Sequence, residues 1–220
     1  MGAASPVSVH IFNANKWRQN CYVLVDSAEG HALVIDPGFD VDDISAYIAD
    51  RQLSVTAILA THTHFDHIAG AATLQDRFGG VKFLLHADEE NILRDVNIYT
   101  MALRLPRIAA PNPRIHLQDQ TKLRFSNCDV VAHHFPGHTP GGCAFAFENL
   151  LFTGDLLLRG QDNAPKLPGA NKAQLKKSQD EIFSRFPGSM LVYPGHGRAV
   201  ALSELHAYFT ELQSSTKGLV

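Results

Sequence analysis

The chain has 220 residues, 45% of them hydrophobic, which suits one globular domain (1–220) with a sizeable core. Nineteen basic and twenty-two acidic residues leave a net charge of −3, too weak a field to point to nucleic acid or an anionic membrane as a partner. Cys21, Cys128 and Cys143 are scattered and odd in number, which argues against a disulfide framework or a thiolate zinc site. No apolar run reaches spanning length, and the opening M-G-A-A-S-P lacks a basic stretch leading into an apolar one, so a cytoplasmic location is expected.

In chain order, residues 7–12, 21–26 and 32–35 have the β-rich composition of strands, the last stopped by Asp36-Pro37-Gly38. That tripeptide suits a tight turn, and an aspartate there could instead orient a nearby imidazole. Ile44, Tyr47 and Ile48 at helical spacing predict a helix over 41–51. Residues 55–60 form a short apolar run typical of a buried strand, 68–78 a helix ended by Gly79-Gly80, and 81–85 another strand. Segment 88–114 starts acidic, carries Tyr99, Arg104 and Arg107, and closes with Pro106, Pro111 and Pro113. It predicts a helix and then an irregular loop over a site mouth, its arginines either clamping an anionic substrate tail or facing solvent.

The second half repeats the pattern. Strands are predicted over 122–125, 130–134, 143–147, 150–152 and 190–193, with helices over 173–186 and from 202 to about 212. Two strand-rich halves with helices outside them imply an α/β, four-layer αββα sandwich.

Between the buried strand and the helix that follows it, residues 61–67 read T-H-T-H-F-D-H. His138 in P-G-H-T-P-G-G, Asp155 in F-T-G-D and His196 in P-G-H-G follow far downstream. One loop cannot easily wrap a single tetrahedral ion with His62, His64, Asp66 and His67, but it can divide them between two neighbouring ions. His86, His133 and His134 are not needed as ligands; His134, four residues before His138, is expected to pack at a strand end. No G-x-S-x-G marks a serine nucleophile.

The H-x-H-x-D-H run with its three downstream ligands resembles the metallo-β-lactamase superfamily, and most of all its hydroxyacylglutathione hydrolase (glyoxalase II) branch, over nearly the whole chain. The resemblance implies one ion held by His62, His64 and His138, a second by Asp66, His67 and His196, and Asp155 bridging both. The ions would be divalent, zinc foremost, with iron or manganese as alternatives. It implies hydrolysis of a small-molecule acyl thioester by a hydroxide shared between the ions, with Asp66 as the catalytic proton acceptor. Zinc β-lactamases proper lack the bridging aspartate, so antibiotic hydrolysis is not expected as the main activity. The alternatives are a lactonase or other small-ester hydrolase, a mononuclear-iron persulfide dioxygenase using His62, His138 and Asp155 or His64, and a binding protein on a degenerate scaffold.

Two departures from the glyoxalase II pattern stand out. Glutathione-specific members carry a long basic C-terminal extension, whereas 24 residues follow His196 here. Relatives often carry an arginine in a G-x-G-R-x-D tract after the bridging aspartate, and Arg159-Gly160-Gln161-Asp162-Asn163-Ala164-Pro165 lacks it. With fewer cationic groups for the glutathione carboxylates, S-D-lactoylglutathione is expected to be handled less efficiently than by a dedicated glyoxalase II, and a smaller or differently shaped acyl thioester to be preferred.

Overall fold

The computed structural model describes residues 7–112, 114–160 and 169–217. Pro113 and residues 161–165 of the tract above thus lie outside the described part. Two six-stranded sheets face each other. The first comprises β1 (Val7–Phe12), β2 (Cys21–Asp26), β3 (His31–Ile35), β4 (Ser54–Leu59), β5 (Phe83–His86) and β6 (Arg114–Leu117), in that spatial order. The second runs β7 (Lys122–Phe125), β8 (Cys128–His134), β9 (Cys143–Phe147), β10 (Leu150–Gly154), β11 (Leu191–Pro194) and β12 (Val200–Ala201).

The period-2 alternation of the strands sorts their side chains between layers. On β2, Cys21, Val23 and Val25 pack outward with Ile44 and Ile48 of α1 (Val41–Asp50), Leu74 of α3 (Ala71–Arg77) and Val96 of α4 (Glu90–Ala102). Tyr22 and Leu24 point the other way and meet Phe145, Phe147 and Phe152 between the sheets. On the far side, Ala144 and Leu151 face Leu175 and Ile182 of α5 (Lys172–Arg185) and Leu205 of α6 (Leu202–Lys217). The result is the expected αββα order. Strands covered on both faces read as unbroken apolar runs, as β2 does.

The differences from the sequence-based expectations have local causes. The helix predicted over 68–78 begins earlier, as α2 (Phe65–Ile68), and breaks before α3. At the break, Gly70 donates its N–H to the Pro37 carbonyl, and a Cβ there would lie 2.5 Å from the Gly38 oxygen. β6 and β12 were not anticipated: both are short, and the four-residue R-I-H-L alternation of β6 is completed as a strand by its pairing with β5. Among the described residues, no helix is long and apolar enough to cross a membrane.

β3, β4 and β5 run parallel, as do β10 and β11. Asp36, His62, Asp155 and His196 follow the carboxyl ends of β3, β4, β10 and β11 respectively. In open α/β sheets the crevice outside these ends is where ligands bind.

Candidate metal centre

The chain leaves β4 through Thr61, whose carbonyl accepts the Cys143 N–H of the opposite sheet at 2.8 Å. His62 and His64 then project from the loop, while Asp66 and His67 sit on the short helical turn α2. Three nitrogens converge: His64 Nδ1 lies 3.1 Å from His62 Nε2 and 3.1 Å from His138 Nε2. Nitrogens arranged tetrahedrally at about 2.05 Å from an ion would stand roughly 3.3 Å apart. Asp66, His67 and His196 form a second group, with His196 Nε2 3.4 Å from Asp66 Oδ2.

Asp155 stands between the groups. Its Oδ1 is 3.5 Å from His67 Nε2, and its Oδ2 is 3.6 Å from His138 Nε2 and 3.7 Å from His196 Nε2. The structure thus gathers all seven residues singled out in the sequence.

Hydrogen bonds set which nitrogen each ring presents. Asp36 accepts the Thr61 N–H at 2.7 Å, the Thr61 hydroxyl at 2.6 Å and His67 Nδ1–H at 2.9 Å. Because the Thr61 hydroxyl donates to Asp36, its oxygen accepts from His62 Nδ1–H, 3.0 Å away. His196 Nδ1–H donates to the Trp17 carbonyl at 3.2 Å. In all three rings Nδ1 is committed to its partner and Nε2 is left to face the centre, as metal-ligating imidazoles require. Asp36 achieves this from a left-handed backbone, φ 52°, which aspartate tolerates better than most side chains. The D-P-G segment therefore makes a turn and also orients a histidine.

Charge tells the same story. Burial, reinforced by the other imidazoles, holds His62 well below its ordinary pKa, and burial with His138 nearby lowers His64 to about 3. Burial pulls His67 down too, but the Asp155 and Asp36 carboxylates outweigh it and hold the ring well above the usual range. Burial likewise raises Asp155, and His67, His138 and His196 together overcome it and hold the carboxyl low. His67 Nε2 and Asp155 Oδ1 are buried and lack hydrogen-bond partners. They face each other at 3.5 Å, an ion-pair distance too long for a good hydrogen bond, and a divalent cation beside them satisfies both. The donor set, nitrogen and oxygen with no thiolate, suits zinc, iron or manganese.

Close packing leaves no space for side chains behind the ligands. A Cβ on Gly195 would fall 2.1 Å from Asp155 Oδ1 and 2.7 Å from His67 Cε1. Burial pushes the Cys21 and Cys143 thiols up, so neither offers a thiolate nucleophile.

Some supporting residues were not evident from the sequence. Asn20 donates from Nδ2 to the Pro194 and Gly197 carbonyls, 2.9 and 2.8 Å away, and so pins the His196 loop. Glu89, fully buried, accepts the Thr63 N–H at 2.7 Å and hydroxyl at 2.8 Å on Oε2, and the Gly141 N–H at 2.8 Å on Oε1. It ties the His62–His64 loop to the His138 loop, but in sequence it looked like part of an acidic helix start. Gln has a single carbonyl oxygen, so Glu89→Gln would set an NH₂ against a buried N–H. The expected cost is about 1–3 kcal/mol of stability and about 10- to 100-fold in metal affinity. Denaturant titration and metal competition measure both; unchanged values would remove Glu89 from this role.

His86 and His134 stack at 3.8 Å with an 11° interplanar angle, and His134 Nε2 donates to the Pro140 carbonyl at 2.9 Å. Parallel rings cannot both aim in-plane lone pairs at one ion, so this pair packs and braces the His138 loop, as its strand-end position suggested. Arg104 and Arg107 are exposed.

The comparisons with known proteins agree with this architecture. The hydroxyacylglutathione hydrolase GloC of Haemophilus influenzae is 25% identical over 201 residues, covering 90% of this chain and 94% of its own. The crystal structure of TTHA1623 in a di-iron-bound form superposes with a TM-score of 0.79 at 31% identity, covering 90% of this chain and 97% of the other. That of BLEG-1 B3 metallo-beta-lactamase gives 0.80 at 27% identity, covering 90% and 95%. A sequence profile of the Metallo-beta-lactamase superfamily matches residues 14–205, and with the two facing sheets and the His/Asp clusters at their strand ends it places this chain in that superfamily.

Proposed function

We propose that the chain is a dinuclear metal hydrolase that cleaves a thioester. The observation that carries the reading is Asp155, whose two oxygens lie 3.5–3.7 Å from nitrogens of both ligand groups. His62, His64 and His138 would hold one ion and Asp66, His67 and His196 the other, with Asp155 shared. Such ions supply Lewis acidity, lowering the pKa of water from about 15.7 toward about 7 and polarising a carbonyl.

The protein's own groups do the rest. Asp36, Thr61 and the Trp17 carbonyl hold the imidazoles in one tautomer, so no reorientation is needed during turnover. Asp66 is the least enclosed carboxylate of the cluster, its side chain 13% exposed. It takes a proton at its carboxylate as water oxygen bonds to the carbonyl carbon. The C–S bond then breaks and the sulfur departs as thiolate, which needs little help from an acid because a thiol pKa is about 8.5. The products are a carboxylic acid and a thiol. The similarity to GloC supports the thioester, and the bridging carboxylate supports two ions rather than one.

The test is a panel of an acyl thioester, a lactone, a β-lactam and a glutathione persulfide, the β-lactam included because of the B3 enzyme among the similar structures. Thioester turnover is expected to exceed the others by at least about tenfold in kcat/KM. Oxygen uptake on the persulfide by protein holding one iron would replace this reading with the dioxygenase.

A further inference from the structure

An apolar pocket opens directly beside the ligand loop. Its walls are Phe65, Ile92, Val96, Tyr99, Ala102 and Leu103, and its volume is about 210 Å³. Thr63 and His64 form its floor, so it begins at one of the candidate metal ligands. A larger recess of about 390 Å³ shares Ile92 and Tyr99 with it and is more open. Asp88 and Asp95 line that recess, and neither Lys nor Arg does among the described residues. Arg104 and Arg107 line neither space, so the sequence-based option of an arginine clamp in this segment has no support in the geometry. Leu103, 49% exposed, and Met101, 73% exposed, extend the apolar surface at the end of α4.

We infer that the pocket is the acyl site, and that it selects an uncharged aliphatic chain of about six carbons or a single aromatic ring. This rests on the thioester reading above and narrows it. The capacity follows from volume: an apolar cavity of about 150 Å³ accepts benzene, so about 210 Å³ takes a slightly larger group. The orientation follows from polarity. A thiol carrier is long and polar and must reach solvent, which suits the more open recess, with its Asp88, Asn91 and Asp95, better than the apolar pocket. A hydroxylated two- or three-carbon acyl group would leave most of the pocket unfilled.

The experiment measures kcat/KM on the full chain as purified, for acetyl to decanoyl thioesters of the uncharged thiol N-acetylcysteamine. Each added methylene is expected to raise kcat/KM about fourfold. The gain should reach on the order of a hundredfold by hexanoyl and then level off. Ala102→Phe, at an exposed position on the rim, should end the rise at about butanoyl; Ile92→Ala should carry it about two carbons further. Hexan-1-ol should shift the methyl resonances of Ile92, Val96 and Leu103, a readout that does not depend on turnover. Thioester hydrolysis with no dependence on acyl length, or with dependence only on the thiol side, overturns the inference and leaves the hydrolase reading standing. No turnover of any thioester overturns the hydrolase reading, and the acyl assignment with it, even if hexan-1-ol shifts those methyls.

Discussion

Asp66→Asn is expected to lower kcat by about 10²- to 10⁴-fold, the usual cost of removing a positioned proton acceptor. Asn keeps the size and one oxygen of the carboxylate but can neither take up a proton nor carry charge. The substitution also weakens the second ligand group, because Asp66 Oδ2 faces His196 Nε2 at 3.4 Å. The two losses separate experimentally. Turnover measured with saturating divalent metal, alongside elemental analysis, isolates the proton-transfer role. Asp66 sits on the exposed side of α2 and belongs to no core cluster, so the fold should survive. Near-normal turnover with unchanged metal content would remove Asp66 from the mechanism.

Chelation should take turnover to background and should also soften the whole molecule. The protein as purified is expected to contain two divalent ions per chain. Without them, His62 Nε2 and His138 Nε2, each 3.1 Å from His64 Nδ1, lose the ion that would hold them together, and buried Asp155 Oδ1 is left with only His67 Nε2 at 3.5 Å. A ligand present at a thousand times its Kd stabilises the folded state by about 4 kcal/mol. For a chain of this size each kcal/mol moves Tm by roughly 2–4 °C, so chelation should lower Tm by about 8–16 °C. Restoring zinc, iron or manganese separately and following both Tm and turnover identifies the functional ion. One ion per chain at full activity would end the dinuclear reading.

The parts of this protein legible in its sequence are those written in short-range pattern. The short apolar runs of β2 and β9 and the helical spacing in α1 mark their elements from the residues alone. The T-H-T-H-F-D-H run announced metal chemistry because few structural needs call for three imidazoles and a carboxylate in seven residues. The αββα order followed from two strand-rich halves with flanking helices.

What was not legible depends on partners distant in the chain. β6 becomes a strand where pairing with β5 completes the four-residue R-I-H-L alternation. Glu89 looked like ordinary surface acid, yet burial between two loops 78 residues apart at Thr63 and Gly141 makes it a brace. For Asp36 the sequence left a turn and the orientation of an imidazole both open, and the fold combines them by setting Thr61 and His67 on its carboxylate. The arginines of the middle segment could have clamped a substrate or faced solvent, and the fold leaves Arg104 and Arg107 exposed and lines the pocket with Ile92, Val96 and Leu103. By itself, then, the sequence determined the layers and the ligand types, since both arise from residue chemistry and local period. Only the tertiary structure decided which side chains brace the candidate ligands and where the apolar pocket lies beside them. Those properties belong to spaces between segments that meet only after folding.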